Sequence, residues 1–445
     1  VVLVADDPSM HSSQDEQDSR FYGKFAMIPV FEPSSQQEAY DMMSDAFDYS
    51  EKQKLPVLLR ITTRMAHSRA VVECADAPRE QNELNYDAVA ANWVLLPVNA
   101  RRRNDAVTAQ QAALEEDAEK SRYNIYKETN SQTPLGIIAS GIAYNYVMEC
   151  VSSSSKGLEG VLPILKISQY PLPRKLVRRM MEECEKVLIV EEGQPVIEEM
   201  VRGISSIEGS VVHGRLDGTL PRTGELTPDV VAKALCKCSG CSEYADNSDY
   251  SEITAHVVAR PPALCKGCGH RDVYAALNEV LKEYDNPRVF GDIGCYTLGF
   301  LPPFRAIHSC VDMGASITMA KGAADAGQWP AVAVIGDSTF THSGMTGLLD
   351  AVNENANITV IISDNLTTAM TGGQDSAGTS KFEAICRGLG VPDEHLHVVV
   401  PIPKNMEEIT RIIREEINYK GTSVIIPRRE CMQTLQRHLK QKRAK

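Results

Sequence analysis

Ala331-Val332-Ala333-Val334-Ile335-Gly336-Asp337-Ser338 is the stretch on which the reading of the fold turns. Five apolar residues read as a strand, and Gly-Asp-Ser ends it. The pattern returns at Ile358–Ser363, which runs into Asp364-Asn365. Helical patterns lie near Ala315–Asp325 and Gly344–Asn353, and further strands at Arg288–Phe290 and Ser423–Ile426. Strand and helix alternate, which predicts a doubly wound parallel α/β domain over 260–430. In open α/β sheets ligands bind at the carboxyl ends of the strands. Gly336, Asp337, Ser338 and Asn365 all fall there. Gly336 lets backbone approach a phosphate. Asp337 offers a hard carboxylate oxygen and Asn365 a neutral carbonyl oxygen, which with a diphosphate and waters complete an octahedron around Mg²⁺. A helix opening near Gly344 is expected to aim its N–H groups at the phosphates.

Working outward, two more blocks precede this one. Residues 1–85 hold the apolar strand Val1–Ala5, a polar loop Asp6–Asp18, a helix near Gln36–Tyr49 and a strand Pro56–Ile61. Ser34 and Ser35 before Gln37 and Glu38 form an N-cap signal. Residues 86–201 hold a charged helix over Asp105–Thr129, the strand Leu135–Ala139 turning at Ser140-Gly141 into a helix, and the strand Lys186–Val190 ending in Glu191-Glu192. Residues 202–259, with Gly, Asp, Ser and weak periodicity, read as a connector. The segment 431–445 is a basic tail (Arg437, Lys440, Lys442, Arg443, Lys445), read as a helix end or a linker. The opening run Val1–Ala5 reads as a buried strand whose covering neighbours are missing. A parallel sheet must supply them, so a segment upstream of Val1 is expected.

At 445 residues the chain is long enough for about three domains. Lys+Arg 46 against Asp+Glu 59 gives a net charge of −13, which speaks against nucleic-acid binding. Hydrophobic residues at 43% and charged residues at 24% exclude a disordered chain. No apolar run reaches the roughly 18 residues of a membrane helix, and no cationic stretch followed by an apolar core opens the chain. The expectation is a cytoplasmic protein with no membrane span. Twelve cysteines are too sparse for a disulfide scaffold, and their close pairs suggest ligation in a reducing compartment.

Cys265-Lys266-Gly267-Cys268 lies in a loop before a helix. Alone it is a zinc half-site, a redox pair or a cluster half-site. Cys295 stands at a strand end in Gly291-Asp292-Ile293-Gly294-Cys295-Tyr296, and Cys431 follows the strand Ser423–Ile426. Four thiolates are what a [4Fe–4S] cluster requires. Cys236, Cys238 and Cys241 lie in the connector, where metal binding and an ordinary surface loop compete.

The Gly-Asp-Ser and Asn spacing resembles the thiamine-diphosphate motif. Three longer stretches, Pro261–Cys268, Gly291–Gly299 and Met313-Gly314-Ala315-Ser316, resemble the 2-oxoacid:ferredoxin oxidoreductases. Among these the alpha subunits of the indolepyruvate type are most similar. Ala5–Gln14, Glu16–Arg20 and Thr62–Ser68 resemble the same subunits, so the likeness covers nearly the whole chain.

The resemblance implies Mg²⁺ ligation by Asp337, Asn365 and the carbonyl of Thr367. It implies cofactor contacts at Gly294, Cys295, Gly314, Gly336 and Ser338, and a [4Fe–4S] cluster on Cys265, Cys268, Cys295 and Cys431. It implies that 1–85 is the C-terminal half of a pyrimidine-binding domain, 86–201 a transketolase-C-like domain and 260–430 the diphosphate-binding domain. The family's subunit begins upstream of Val1 and ends in a ferredoxin-like domain beyond Lys445. The implied reaction is oxidative decarboxylation of arylpyruvates such as indole-3-pyruvate, with coenzyme A as co-substrate. The implied partners are a beta subunit in a hetero-oligomer, and ferredoxin. The alternatives are a non-oxidative decarboxylase, which would need no thiols, and a silent cofactor-binding fragment. His11, in a polar loop after a strand, and His270, beside Cys268, are the candidate catalytic histidines. Arg20 and Arg64 are candidates to hold a carboxylate.

Overall fold

Ala331–Gly336 lies third in an all-parallel sheet of six strands. The computed structural model describes residues 1–76, 89, 92, 94, 96–129, 134–152, 162–204, 211–240, 251–258 and 262–444. Contacts divide the chain into two units, Val1–Glu252 and Ile253–Lys445.

The strands of the first unit are β1 (Val2–Asp6), β2 (Val30–Phe31), β3 (Leu58–Thr62), β4 (Ile125–Lys127), β5 (Leu135–Ser140), β6 (Ile164–Ile167), β7 (Gln169–Tyr170), β8 (Lys186–Val190) and β9 (Val211–His213). They form two sheets, ordered β1-β3-β2-β7 and β4-β6-β5-β8-β9, with β7 and β4 antiparallel to their neighbours. Successive residues of a strand face opposite sides. Thus Ile137, Leu188 and Val190 pack under the helices Ala143–Ser152 and Pro228–Ser239, while Ile138, Val187 and Ile189 pack under Arg174–Glu183. Ser35 caps the helix Gln36–Gln53, its Oγ accepting from the N–H of Glu38 at 3.2 Å.

Three expectations change here. The stretch 202–259 contributes β9, which pairs with β8, and the helix Pro228–Ser239, whose Val231, Ala234 and Leu235 are core residues. Its Gly and Asp residues serve the turns between those elements, and they masked the periodicity. Cys238 is buried on that helix and not in a surface loop, and Cys236 packs beside the same core; Cys241 lies outside the described residues. The charged helix spans Pro97–Glu119 and ends before β4. β1 is the edge strand of its sheet, with Val2 and Leu3 48% and 55% exposed in this chain.

The second unit has β10 (Arg288–Gly291), β11 (Ser309–Cys310), β12 (Ala331–Gly336), β13 (Ile358–Ser363), β14 (Leu396–Val399) and β15 (Thr422–Pro427), ordered β11-β10-β12-β13-β15-β14. Val332, Val334, Ile361 and Ile425 face the helices Gly269–Leu281 and Met406–Asn418. Ala333, Ile335, Val360, Ile362 and Val424 face Ala315–Asp325 and Met345–Asn353. Each buried aliphatic side chain contributes about 1.5–3 kcal/mol, so both faces anchor the strand ends firmly. This is the doubly wound parallel architecture expected of an α/β chain. The helix after β12 opens at Asp337 itself; Phe340–Gly344 is a π-turn inside it, so its N-terminus is not at Gly344. The segment after Cys431 is a helix, Met432–Ala444.

Candidate diphosphate, metal and thiol site

β12 and β13 are adjacent and parallel, with Gly336 opposite Ser363. Their register puts Asp337 and the loop Asp364–Thr368 side by side at the carboxyl edge. The N–H of Thr367 donates to Asp337 Oδ2 and to Asn365 Oδ1, both at 3.2 Å. The three residues expected to ligate Mg²⁺ therefore meet at one point. Ser338 Oγ lies 2.5 Å from Thr368 Oγ1, which closes the loop over the helix start.

Asp337 is 3% exposed and forms no ion pair among the described residues. Burial, with the charge of Asp364 added, pushes its carboxyl up to about 6, against hydrogen bonds from Ser338 and Thr367. A cation beside it would remove that penalty, so the donor set fits a hard divalent ion. Leu366, between the two loop ligands, has φ +61°. A branched residue there costs about 1–3 kcal/mol, a strain that concentrates where neighbouring groups must be aimed. Asp364 holds the turn: its Oδ1 accepts from the N–H of Leu366 at 3.2 Å. Arg428 Nε donates to Asp364 Oδ2 at 2.6 Å and forks onto Glu383 at 2.9 and 2.8 Å.

A Cβ on Gly336 would stand 2.5 Å from Tyr296 Cε1, so the glycine leaves room for that ring. The Tyr296 hydroxyl donates to Asp292, a carboxylate with no exposure. Asp292 also accepts from the Ser316 hydroxyl at 2.7 Å and from the N–H of Gly314 at 3.1 Å. Gly314, at φ +97°, is the left-handed cap of Ala315–Asp325, and a Cβ on it would strike Ser343 Oγ. Gly294 is extended and its N–H meets Thr297 Oγ1 at 3.1 Å.

Cys265, Cys268, Cys295 and Cys431 line one cavity of about 220 Å³, together with His270, Asp364 and Asn365. Cys265–Cys268 is a tight turn closed by Cys268 N–H to Cys265 O at 3.1 Å, and Gly267 supplies the φ of +78° that it needs. Cys295 follows β10, and Cys431 follows β15. Burial raises the Cys268 thiol, and raises Cys295 to about 11, with the other three thiols and Asp337 adding to the latter. No three Cys, His, Asp or Glu side chains among the described residues stand close enough to share one ion. Gln433 Nε2 lies 3.6 Å from Cys265 Sγ.

The histidines separate. His270 is buried at the start of its helix, where desolvation lowers it to about 4, and its Nε2 has no partner. His11, in the first unit, is exposed and 3.3 Å from Glu225, which Arg64 also meets at 2.8 Å. Arg20 is not available to a substrate. It is 2% exposed and already forks onto Asp18 at 2.9 and 2.5 Å and meets Glu191 at 2.7 Å. Nothing in the local pattern pointed to Asp292, Arg428 or Gln433. Their roles depend on strand neighbours far apart in sequence.

Residues 292–426 match the family described as thiamine pyrophosphate enzyme, C-terminal TPP binding domain. The indolepyruvate oxidoreductase subunit IorA of Methanothermobacter thermautotrophicus is 38% identical over 97% of this chain and 71% of its own length. That of Archaeoglobus fulgidus is 36% identical over 97% and 70%. The chain belongs to this family. It is an oxidoreductase subunit with a thiamine-pyrophosphate-binding domain in its second unit, and its relatives are named as one subunit of a larger enzyme. A solved 2-oxoglutarate:ferredoxin oxidoreductase from Magnetococcus marinus aligns over 42% of this chain and 69% of its own, at 17% identity and TM-score 0.32, too low to bear on the argument. No helix among the described residues is long and apolar enough to cross a membrane.

Proposed function

We propose that this chain is the alpha, catalytic subunit of a cytoplasmic enzyme that decarboxylates arylpyruvates oxidatively. Indole-3-pyruvate is the representative substrate, the product is the aryl-acetyl-CoA, and electrons pass to ferredoxin. A smaller beta subunit completes the hetero-oligomer. One observation carries the reading: Asn365 belongs both to the Asp337–Thr367 constellation and to the wall of the four-thiol cavity. A plain decarboxylase needs no electron exit beside its metal site.

When bound, thiamine diphosphate supplies carbanion stabilisation at a 2-oxo carbon, and an iron–sulfur cluster supplies one-electron transfer. The Asp337 carboxylate, the Asn365 amide oxygen and the Thr367 carbonyl hold Mg²⁺ and through it the diphosphate. Ser338 and the first turn of the helix from Asp337 present donors to the same group. Tyr296, packed against Gly336 and tied to Asp292, keeps the floor of the site dry. Gly294 and Gly314 set the two loops that wall it. Cys265, Cys268, Cys295 and Cys431 are the cluster ligands. His11, in the polar loop after β1, is the candidate substrate contact of the first unit.

The test is anaerobic viologen reduction by the subunit with its beta partner, given indole-3-pyruvate and coenzyme A. Dye reduction that requires both compounds supports the reading. Release of carbon dioxide without dye reduction favours a non-oxidative decarboxylase instead.

A further inference from the structure

His270 is the polar side chain that the site leaves unexplained. It is 5% exposed, and its buried Nε2 has no hydrogen-bond partner among the described residues. The ring stands edge-on to Tyr296, with centroids 6.3 Å apart. It lines the cavity that holds Cys265, Cys268, Cys295 and Cys431. A buried donor without a partner is costly, and a phenylalanine would fill the same space without that cost. Either tautomer of an imidazole carries one N–H, and Nε2 meets no acceptor within hydrogen-bond reach among the described residues. Sulfides and thiolates of a cluster would be acceptors, and a hydrogen bond to them favours the reduced, more negative state.

We propose that the His270 side chain is the hydrogen-bond donor to a cluster sulfur in the four-thiol cavity and sets its reduction potential upward. This rests on the iron–sulfur reading of that cavity. His270 is then a positioning and tuning residue, and it has no part in moving a substrate proton.

The test is an EPR-monitored redox titration of the anaerobically purified holoprotein and of His270→Phe and His270→Gln. The expected result is equal iron content in all three, a lower midpoint in His270→Phe, and a midpoint nearer the parent in His270→Gln, which keeps an N–H. Pulsed EPR of the reduced parent, labelled with ¹⁵N-histidine, should show a weak nitrogen coupling. That measurement needs no variant. An unchanged midpoint at full iron content, or no ¹⁵N coupling in the parent, overturns the role of His270 and leaves the cluster standing. A parent without iron overturns both.

Discussion

The main-chain N–H of Cys431 donates to the carbonyl of Asn365 at 3.0 Å. A candidate cluster ligand and a candidate metal ligand are thus joined by one hydrogen bond. The link extends the pairing of β13 with β15 past their ends. Asp364 bridges to Arg428, and Arg429 N–H reaches Asp364 O at 3.0 Å. Moving one loop must move the other.

Arg428 is the clamp on this pair of loops. Arg428→Ala should cost about 1–3 kcal/mol, since it strips a charge-assisted fork and leaves the buried Asp364 carboxylate unpaired. Iron content and thiamine diphosphate affinity should fall together. Arg428→Lys should recover little, because an ammonium cannot reproduce the fork. Calorimetry and iron analysis on the same preparations check this. Loss of one property with the other intact would mean that the loops are independent.

Asp337→Ala should abolish Mg²⁺-dependent thiamine diphosphate binding. The metal loses its only charged protein ligand, and no neighbouring acid makes the same contact. Titration calorimetry with and without Mg²⁺ reads the effect. Affinity equal to the parent's would remove Asp337 from the site.

Gly314→Ala should destabilise the second unit by about 1–3 kcal/mol, because φ is +97° and the new methyl meets Ser343. Urea denaturation measures it. The control Gly322→Ala, on the same helix with open space around its Cα, should not destabilise and is expected to stabilise slightly.

Glu192 gives a pH signature in the first unit. Burial raises its carboxyl to about 7, and Arg215, 3.8 Å away, offsets only part of this. A folded-state value above the unfolded one means the folded chain holds the extra proton. The contribution is fully present below about pH 4.5 and is lost as pH rises through about 7. Between pH 5 and pH 7.5 it should amount to about 2–3 kcal/mol. Urea melts of the parent and of Glu192→Gln should diverge over that window, the variant losing less. Parallel pH profiles would show that Glu192 is ionised throughout.

Much of the second unit could be read from the sequence. Ile358–Ser363 and Ala315–Asp325 form where expected, because uninterrupted apolar strands ending in small or acidic residues leave few other pairings. The same pattern placed Asp337 and Asn365 at neighbouring strand ends. Other features depended on partners distant in sequence. Arg20 is held by Asp18 two residues away, but its burial also draws on Glu191, 171 residues on. The helix Pro228–Ser239 was hidden by the turn residues before it. The packing of Tyr296 against Gly336 was illegible because the ring reaches it from another strand's loop.

The central claim is that four thiols from three loops hold a cluster against the metal site. Cys295 tests it most directly, since its thiol feels the other three and Asp337 together. Parent and Cys295→Ser should be purified without air, then assayed for iron and zinc and examined by EPR after reduction. The account predicts about four irons in this cavity of the parent and the signal of a reduced [4Fe–4S] cluster. In Cys295→Ser both should be lost, while Mg²⁺-dependent thiamine diphosphate binding persists. Equal iron in parent and variant, or zinc in place of iron, would contradict it.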